Sequence, residues 1–506
     1  MTSSKDNALK INLAMKRHSS IRGFVTTMSS AVRRWIGPFI FAGMTFAMLV
    51  GAVLPFVKTS IRLSHWETNV AVNVLAACIA IFISICIVLC LRRSVSWIPV
   101  VAVGMGIRLA ILTVFWNFQP TGDAAAYLSV ARELVTNHVL RLIGPGLSVT
   151  YAVFPPGYSI ALALPMSLGA SDLVATLLVN FSADILSALA LYGIGRELAF
   201  DQRRAALIAS LYFALPVSLT GSFLSNKESM AVCLALLQTF AFLKARHEIG
   251  RPTIILLGFT VAALILTQPG WLGITAGLGI LLLNQAGWKH TLNVAIRSLP
   301  VALIVMSPWW LRNYLLFHRF IPITNAAGLN LYFVITNSYD ASSNLLQNGR
   351  NEVIANSLGW SLSATAIRYN PLDYLKNQTV TFIYAWIIKG WQGRVIAAGG
   401  FPYLGAMISR VVQFYSIGLM ALSALAAARR NVSLLNYSIL AAVLLGIVST
   451  NFWFEFGERH LFVVMALFLL IAGGQRVAKG AAAGTGERVM APPRSLAGAA
   501  APVPGS

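Results

Sequence analysis

The stretch Thr121–Tyr158, TGDAAAYLSVARELVTNHVLRLIGPGLSVTYAVFPPGY, decides how the chain reads. It carries Asp123, Arg132, His138, Arg141 and two proline–glycine elements, and apolar segments flank it on both sides. Such a run cannot lie in lipid, where each charge would lose its water. Its flanks can. The first expectation is a polar loop held at one membrane face by the helices around it.

Composition agrees. Of the 506 residues, 57% are hydrophobic and 11% charged, whereas an ordinary soluble domain carries about 25% charged residues. Apolar runs of roughly twenty residues recur, the length a helix needs to cross a bilayer. The expected fold is an all-α polytopic membrane bundle. The formal charge of +22 comes from 38 Lys and Arg against 16 Asp and Glu. These cations sit in short loops and in the leader, where they orient helices and meet anionic headgroups, so no nucleic acid is expected as a partner. Cys78, Cys86, Cys90 and Cys233 fall within apolar spans and read as small buried hydrophobes, not as disulfides or metal ligands.

Basic residues then assign sides. Residues 1–35 predict a weakly ordered cytoplasmic leader without a cleavable signal. Residues 36–96 hold two spans, Ile36–Phe56 outward and Val70–Leu91 back to Arg92-Arg93. Trp97–Trp116 crosses out again, which puts the loop 117–171 on the extracytoplasmic side. Gly157–Gly169, about thirteen residues with Pro165 inside, is too short to span comfortably and reads as an interfacial or re-entrant helix. Asp172–Ile194 then crosses alone, and the basic turn from Arg196 to Arg204 falls inside.

The same alternation carries Leu207–Phe223, Met230–Leu243, Thr253–Leu266, Trp271–Leu283 and Leu299–Trp310. It leaves 312–405 as a second extracytoplasmic loop, with Val380–Ile388 lying on the membrane. Met407–Ala427, Leu434–Phe452 and His460–Ile471 complete about twelve spans with both ends cytoplasmic. The Ala/Gly/Pro-rich tail 476–506 is expected to be disordered.

Candidate chemistry gathers on the outward side. Asp123 opens a helix-like run with Tyr127 one turn later; it reads as an N-cap and, compatibly, as a general base. Phe154-Pro155-Pro156-Gly157-Tyr158 is a helix entry signal. Ser225 and Glu228 have capping-box spacing, while Lys227 and Glu228 share the face of Asp123. Trp309 and Trp310 fit an interfacial belt, and Arg312 beside Asn313 either snorkels to headgroups or holds a phosphate. Glu455, Glu458, Arg459 and His460 cluster at the mouth of the last span, as solvated ends or as a site. No phosphate loop, zinc spacing, nucleophile elbow or nucleotide fingerprint is present, which argues against chemistry powered by a cytoplasmic nucleotide.

In order, the pieces are Gly122-Asp123 with Tyr127, Pro155-Pro156-Gly157-Tyr158, Asn180–Leu198, Ser225–Glu228, Gln268-Pro269, Pro308–Asn313, Gly328–Leu331 and Glu458-Arg459-His460. This series resembles the GT-C membrane glycosyltransferases that use polyprenyl-phosphate sugars, in particular the bacterial relatives of protein O-mannosyltransferases and of the lipid A aminoarabinose transferase. The resemblance implies a GT-C-like core over 97–475, with juxtamembrane helices in the first outer loop and 36–96 as an addition. It implies an enzyme of the inner or plasma membrane, its active site extracytoplasmic. A sugar would pass from the lipid phosphate to a glycan, lipid or protein hydroxyl, usually with inversion.

By the same resemblance Asp123 is the base. Arg459 and Arg312, with Lys227, stabilise the departing phosphate. Glu228 is the second catalytic acid, placing the acceptor or a metal, and Tyr127, Asn313, Glu458 and His460 complete the substrate-binding set. Membrane lipids are partners; no cofactor is expected apart from a divalent metal, which is left open. Three departures stand out: Ala124 where the family often has a second acid, Phe154 where the aminoarabinose enzymes carry lysine, and Gln268 for the usual arginine before Pro269. A transporter or flippase is the rival class, and would place ionisable groups midway along spans; Arg108 and Asp184 are the exceptions that do lie there. Ala124 also leaves a non-catalytic relative open.

Overall fold

The computed structural model describes residues 70–93, 96–116, 118–143, 149–224, 226–336, 344–346, 351–386, 396, 400, 402–429, 434–451 and 462–473. The leader, the span Ile36–Phe56, the tail, Ser225 and the cluster Glu458, Arg459 and His460 lie outside these residues.

The described residues are all-α, with one isolated antiparallel bridge between Leu142 and Thr150. In chain order the helices are α1 (Val70–Arg93), α2 (Trp97–Phe115), α3 (Asp123–Asn137), α4 (Pro156–Ser167), α5 (Asp172–Glu197), α6 (Gln202–Phe213), α7 (Pro216–Gly221), α8 (Glu228–Ala245) and α9 (Arg251–Thr267). A 3-10 turn, Pro269–Trp271, leads into α10 (Leu272–Ala286) and α11 (Trp288–Phe317). Then follow α12 (Ala327–Thr336), α13 (Glu352–Tyr369), α14 (Pro371–Trp386), α15 (Pro402–Arg429), α16 (Leu434–Asn451) and α17 (Phe462–Ala472). Among the described residues, four segments are long and apolar enough to cross a membrane: α5, α8, α11 and Leu404–Leu425 within α15.

Helix α5 is inside out by the standards of a protein in water. It buries Thr176, Asn180, Asp184 and Ser187, each 0% exposed, on one face. Leu178, Ile185, Leu186 and Leu189 stand 41–59% exposed on the other. A helix in water sorts the opposite way; polar groups turned to the bundle interior and leucines turned outward are what a lipid solvent selects. The fully apolar α17 is buried along its whole length, against α5, α6, α8, α15 and α16.

The expected crossing Leu207–Phe223 is not one helix. It breaks between α6 and α7, because Pro216 has no N–H to give and forces Leu215 into an extended conformation (φ −65°, ψ 139°). The break leaves the Phe213 carbonyl without its helical donor, and Arg108 of α2 supplies one. Arg108 also donates to Asp184 (3.0 Å), Ser218 (2.7 Å) and Ser222 (3.3 Å), and stacks on the Phe213 ring at 3.8 Å. The two ionisable groups found mid-span thus pair with each other and bind α2, α5, α6 and α7 together.

Helix α11 runs 30 residues, about 45 Å against a hydrocarbon core of about 30 Å. Arg312 and Asn313 are therefore in its last turns, not in a loop after Trp310. Of the cysteines only Cys233 is buried; Cys78 is exposed on α1, so burial does not explain it. All four are free thiols.

The polar turns gather at two ends. At one, Arg204 donates to the Gly473 carbonyl, Arg246 to Gln285 (3.3 Å), and His290 lies 2.7 Å from the Ala245 carbonyl. The start of α3, the start of α8 and the end of α11 meet at the other, against the loop that precedes α4.

Helix α4 crosses α9 at Gly157, where a Cβ would stand 2.6 Å from Thr267 Oγ1 and 2.9 Å from the Leu266 carbonyl. Gly157→Ala is therefore expected to cost about 1–3 kcal/mol by overpacking, read as a lower thermal midpoint in detergent. Removing one member of the Arg108–Asp184 pair should cost about 3–5 kcal/mol, whereas Arg108→Met with Asp184→Leu together should cost less than either alone. A double-mutant cycle without coupling would deny the pair its role.

Candidate functional site

Helix α3 starts from Gly122, whose φ of 59° and ψ of −134° suit glycine alone; a Cβ there would meet nothing within 4 Å, so backbone conformation is the whole reason. Asp123 is the first helical residue and not the cap expected from its sequence, and its carboxylate lies at the positive end of the helix dipole. It is partly exposed. One turn on, Tyr127 is 1% exposed, with its ring edge-on to Phe154 and to Tyr158, each at 5.4 Å. Ser159 donates to the Tyr127 carbonyl at 3.1 Å, fastening α4 to α3.

The Lys227 ammonium stands 5.6 Å from the Tyr127 ring, in cation–π range. Glu228 opens α8 and is 7% exposed. The capping-box expectation fails here: Lys227 occupies the cap position, so Glu228 is the first residue of the helix, not the third. Its charge acts on Tyr158, whose phenol burial pushes upward while the hydrogen bond to Asn180 opposes. Tyr158 therefore stays protonated and donates to Asn180 Oδ1 at 3.1 Å. Asn180 gives its own amide protons to the carbonyls of Gly221 (3.1 Å) and Leu224 (2.7 Å). One side chain of α5 thus holds both α4 and the turn that presents Lys227 and Glu228.

Arg312 and Asn313 form a second group. Arg312 donates to Asn313 Oδ1 (2.7 Å) and to the Leu140 carbonyl, and lies over the rings of Trp309 (5.0 Å) and Tyr151 (5.9 Å). Arg312 has no ion-pair partner among the described residues. Arg141 and Asn137, donating to Glu133 at 2.7 and 3.0 Å, hold that carboxyl below the usual range and tie the loop after α3 back to its helix. Leu140, Arg141, Tyr151, Phe154, Val130 and Trp309 line a narrow cleft between the two groups.

The structure thus joins Tyr127 to Lys227, and Arg312 to Asn313, with Phe154 and Tyr151 between them. The sequence reading missed Asn180 as a determinant of the site. Its signal was present: Thr176, Asn180, Asp184 and Ser187 recur every three or four residues along an otherwise apolar helix.

Among the described residues no group of three or more His, Cys, Asp or Glu side chains occurs that could hold a metal ion; Glu455, Glu458 and His460 lie outside them. Ala124 stands beside Asp123 where the resemblance would often place a second acid.

No protein-family model matches the chain. No curated protein matches it either. Among solved structures it is similar to the Archaeoglobus fulgidus oligosaccharyltransferase in the apo form, at 13% identity and TM-score 0.38, covering 75% of this chain and 57% of that one. The same enzyme in complex with Zn and sulfate gives 14% identity, TM-score 0.37, and coverage of 74% and 53%. ArnT from Cupriavidus metallidurans in the apo state gives 16% identity, TM-score 0.33, and coverage of 73% and 77%. The chain spans little more than half the length of the archaeal enzyme. These are distant likenesses, and none assigns a role to a residue of this chain.

Proposed function

We propose that the chain is a membrane-embedded glycosyltransferase of the GT-C type, moving a sugar from a polyprenyl phosphate to an acceptor hydroxyl at the extracytoplasmic face of the plasma membrane. The observation that carries this reading is the Lys227 ammonium over the Tyr127 ring, which brings the start of α8, where Glu228 lies, to within a helical turn of Asp123 on α3. The order of motifs along the chain supports the same family.

In this reading the acceptor oxygen attacks the anomeric carbon from the face opposite the phosphate. The acceptor proton passes to Asp123, the bond from carbon to phosphate oxygen breaks, and its electron pair stays on the lipid phosphate. Inversion follows from the single displacement. Lys227 and Arg312 supply positive charge where the phosphate gains negative charge, joined by Arg459. Glu228, buried beside Tyr158, positions the acceptor. Arg108 and Asp184 are engaged in holding helices together, which weakens the transporter alternative.

Asp123→Asn keeps the shape and removes the base. The expected result is a loss of about 10²–10⁴-fold in kcat with donor binding unchanged, measured as sugar transfer from a panel of polyprenyl-phosphate sugars in detergent. Wild-type turnover in a well-folded Asp123→Asn protein would reject Asp123 as the base.

A further inference from the structure

Glu352 is the first residue of α13, yet it is only 4% exposed. An acid at that position ordinarily faces water, where the helix dipole favours it. Here it is turned inward onto a segment 200 residues earlier in the chain. Its Oε2 accepts the Tyr151 N–H at 2.6 Å, and its Oε1 accepts the Ala152 N–H at 2.8 Å and the Asn325 amide at 3.1 Å. Asn325 completes the knot by donating its own N–H to the Ala152 carbonyl at 2.8 Å. Both edges of Ala152 are thus held, and the residue is fully buried against Trp309, Met306 and Leu266.

The knot has two outlets. Through Tyr151 it reaches Arg312, which lies over the Tyr151 ring and feels the Glu352 charge. Two residues beyond Ala152, Phe154 packs edge-on against Tyr127, the ring beneath Lys227. Among the described residues Glu352 makes no ion pair; backbone amides and one side-chain amide absorb its charge, which fixes direction better than a flexible cation would.

We infer that Glu352 is a positioning residue: it latches the segment after α12 onto the loop before α4, and so holds Arg312 and Phe154 in register with Tyr127 and Lys227. The inference rests on the proposed site, but the latch can be tested apart from it. Glu352→Gln preserves volume and sets an NH2 group against a backbone N–H.

The experiment is hydrogen–deuterium exchange on the full chain in detergent, paired with transfer kinetics. Exchange in Glu352→Gln should accelerate at 149–154 and also at 138–142, where Arg312 holds Leu140, with peptides from α5 and α8 unchanged. The kcat should fall on the order of 10- to 100-fold, with a smaller change in KM, as expected when reacting groups lose register. Asn325→Ala, which removes one donor, should move both readouts the same way by less.

Acceleration confined to 149–154, or unchanged kcat despite acceleration in both segments, would overturn the positioning role. Unchanged exchange in both variants would overturn the latch itself. A wild-type chain that transfers no sugar while exchange responds as expected would count against the proposed function and leave the latch standing.

Discussion

The pairing of Arg108 with Asp184 inside the bundle is the constraint on which the rest depends. Desolvating either charge alone costs several kcal/mol, so each is tolerable only beside the other. Their union determines more than two side chains. Arg108 takes the carbonyl that the Pro216 break releases at Phe213, and Ser218 and Ser222 from the helix after the break. Ser222 lies within Gly221–Leu224, the segment that Asn180 grips, and Lys227 and Glu228 follow a few residues later. A polar stripe on one face of α5 therefore sets where α8 begins. Without it the site cations would hang on an unanchored turn.

The class of fold was legible from apolar length and charge bias, and the helices at Trp97, Asp172 and Leu434 begin where hydropathy said they would. What escaped was local. Asp123 looked like a cap, but Gly122 has the conformational freedom to take that place, and the acid moved one position inward. Ser225 and Glu228 had capping-box spacing, yet α8 starts late and Glu228 is buried instead. A run of apolar residues from Leu207 to Phe223 hid a break that Pro216 alone announces. Glu352 carried no motif: an acid beside Asn351 reads as an ordinary helix start, and only tertiary pairing across 200 residues gives it meaning. Hydropathy reports which solvent a segment prefers, and says little about which backbone groups need partners.

Two distant loops thus become one surface. The loop before α4 is stitched from three sides: by Arg141 on Glu133, by Arg312 on the Leu140 carbonyl, and by Glu352 on Tyr151 and Ala152. The stitches fall on 140–141 and 151–152, and the aromatic rings of Tyr151 and Phe154 stand beside them.

The central claim is that Asp123, Lys227 and Arg312 share one membrane face, opposite the turns that carry Arg203 and His247. Single cysteines at the exposed positions Ala125, Arg319, Arg203 and His247, in a chain whose four native cysteines have been replaced, test it by labelling intact cells with an impermeant maleimide. The account predicts labelling at 125 and 319 from outside, and at 203 and 247 only after permeabilisation. Labelling of 125 and 319 from opposite sides, or of 203 together with 125, would contradict it.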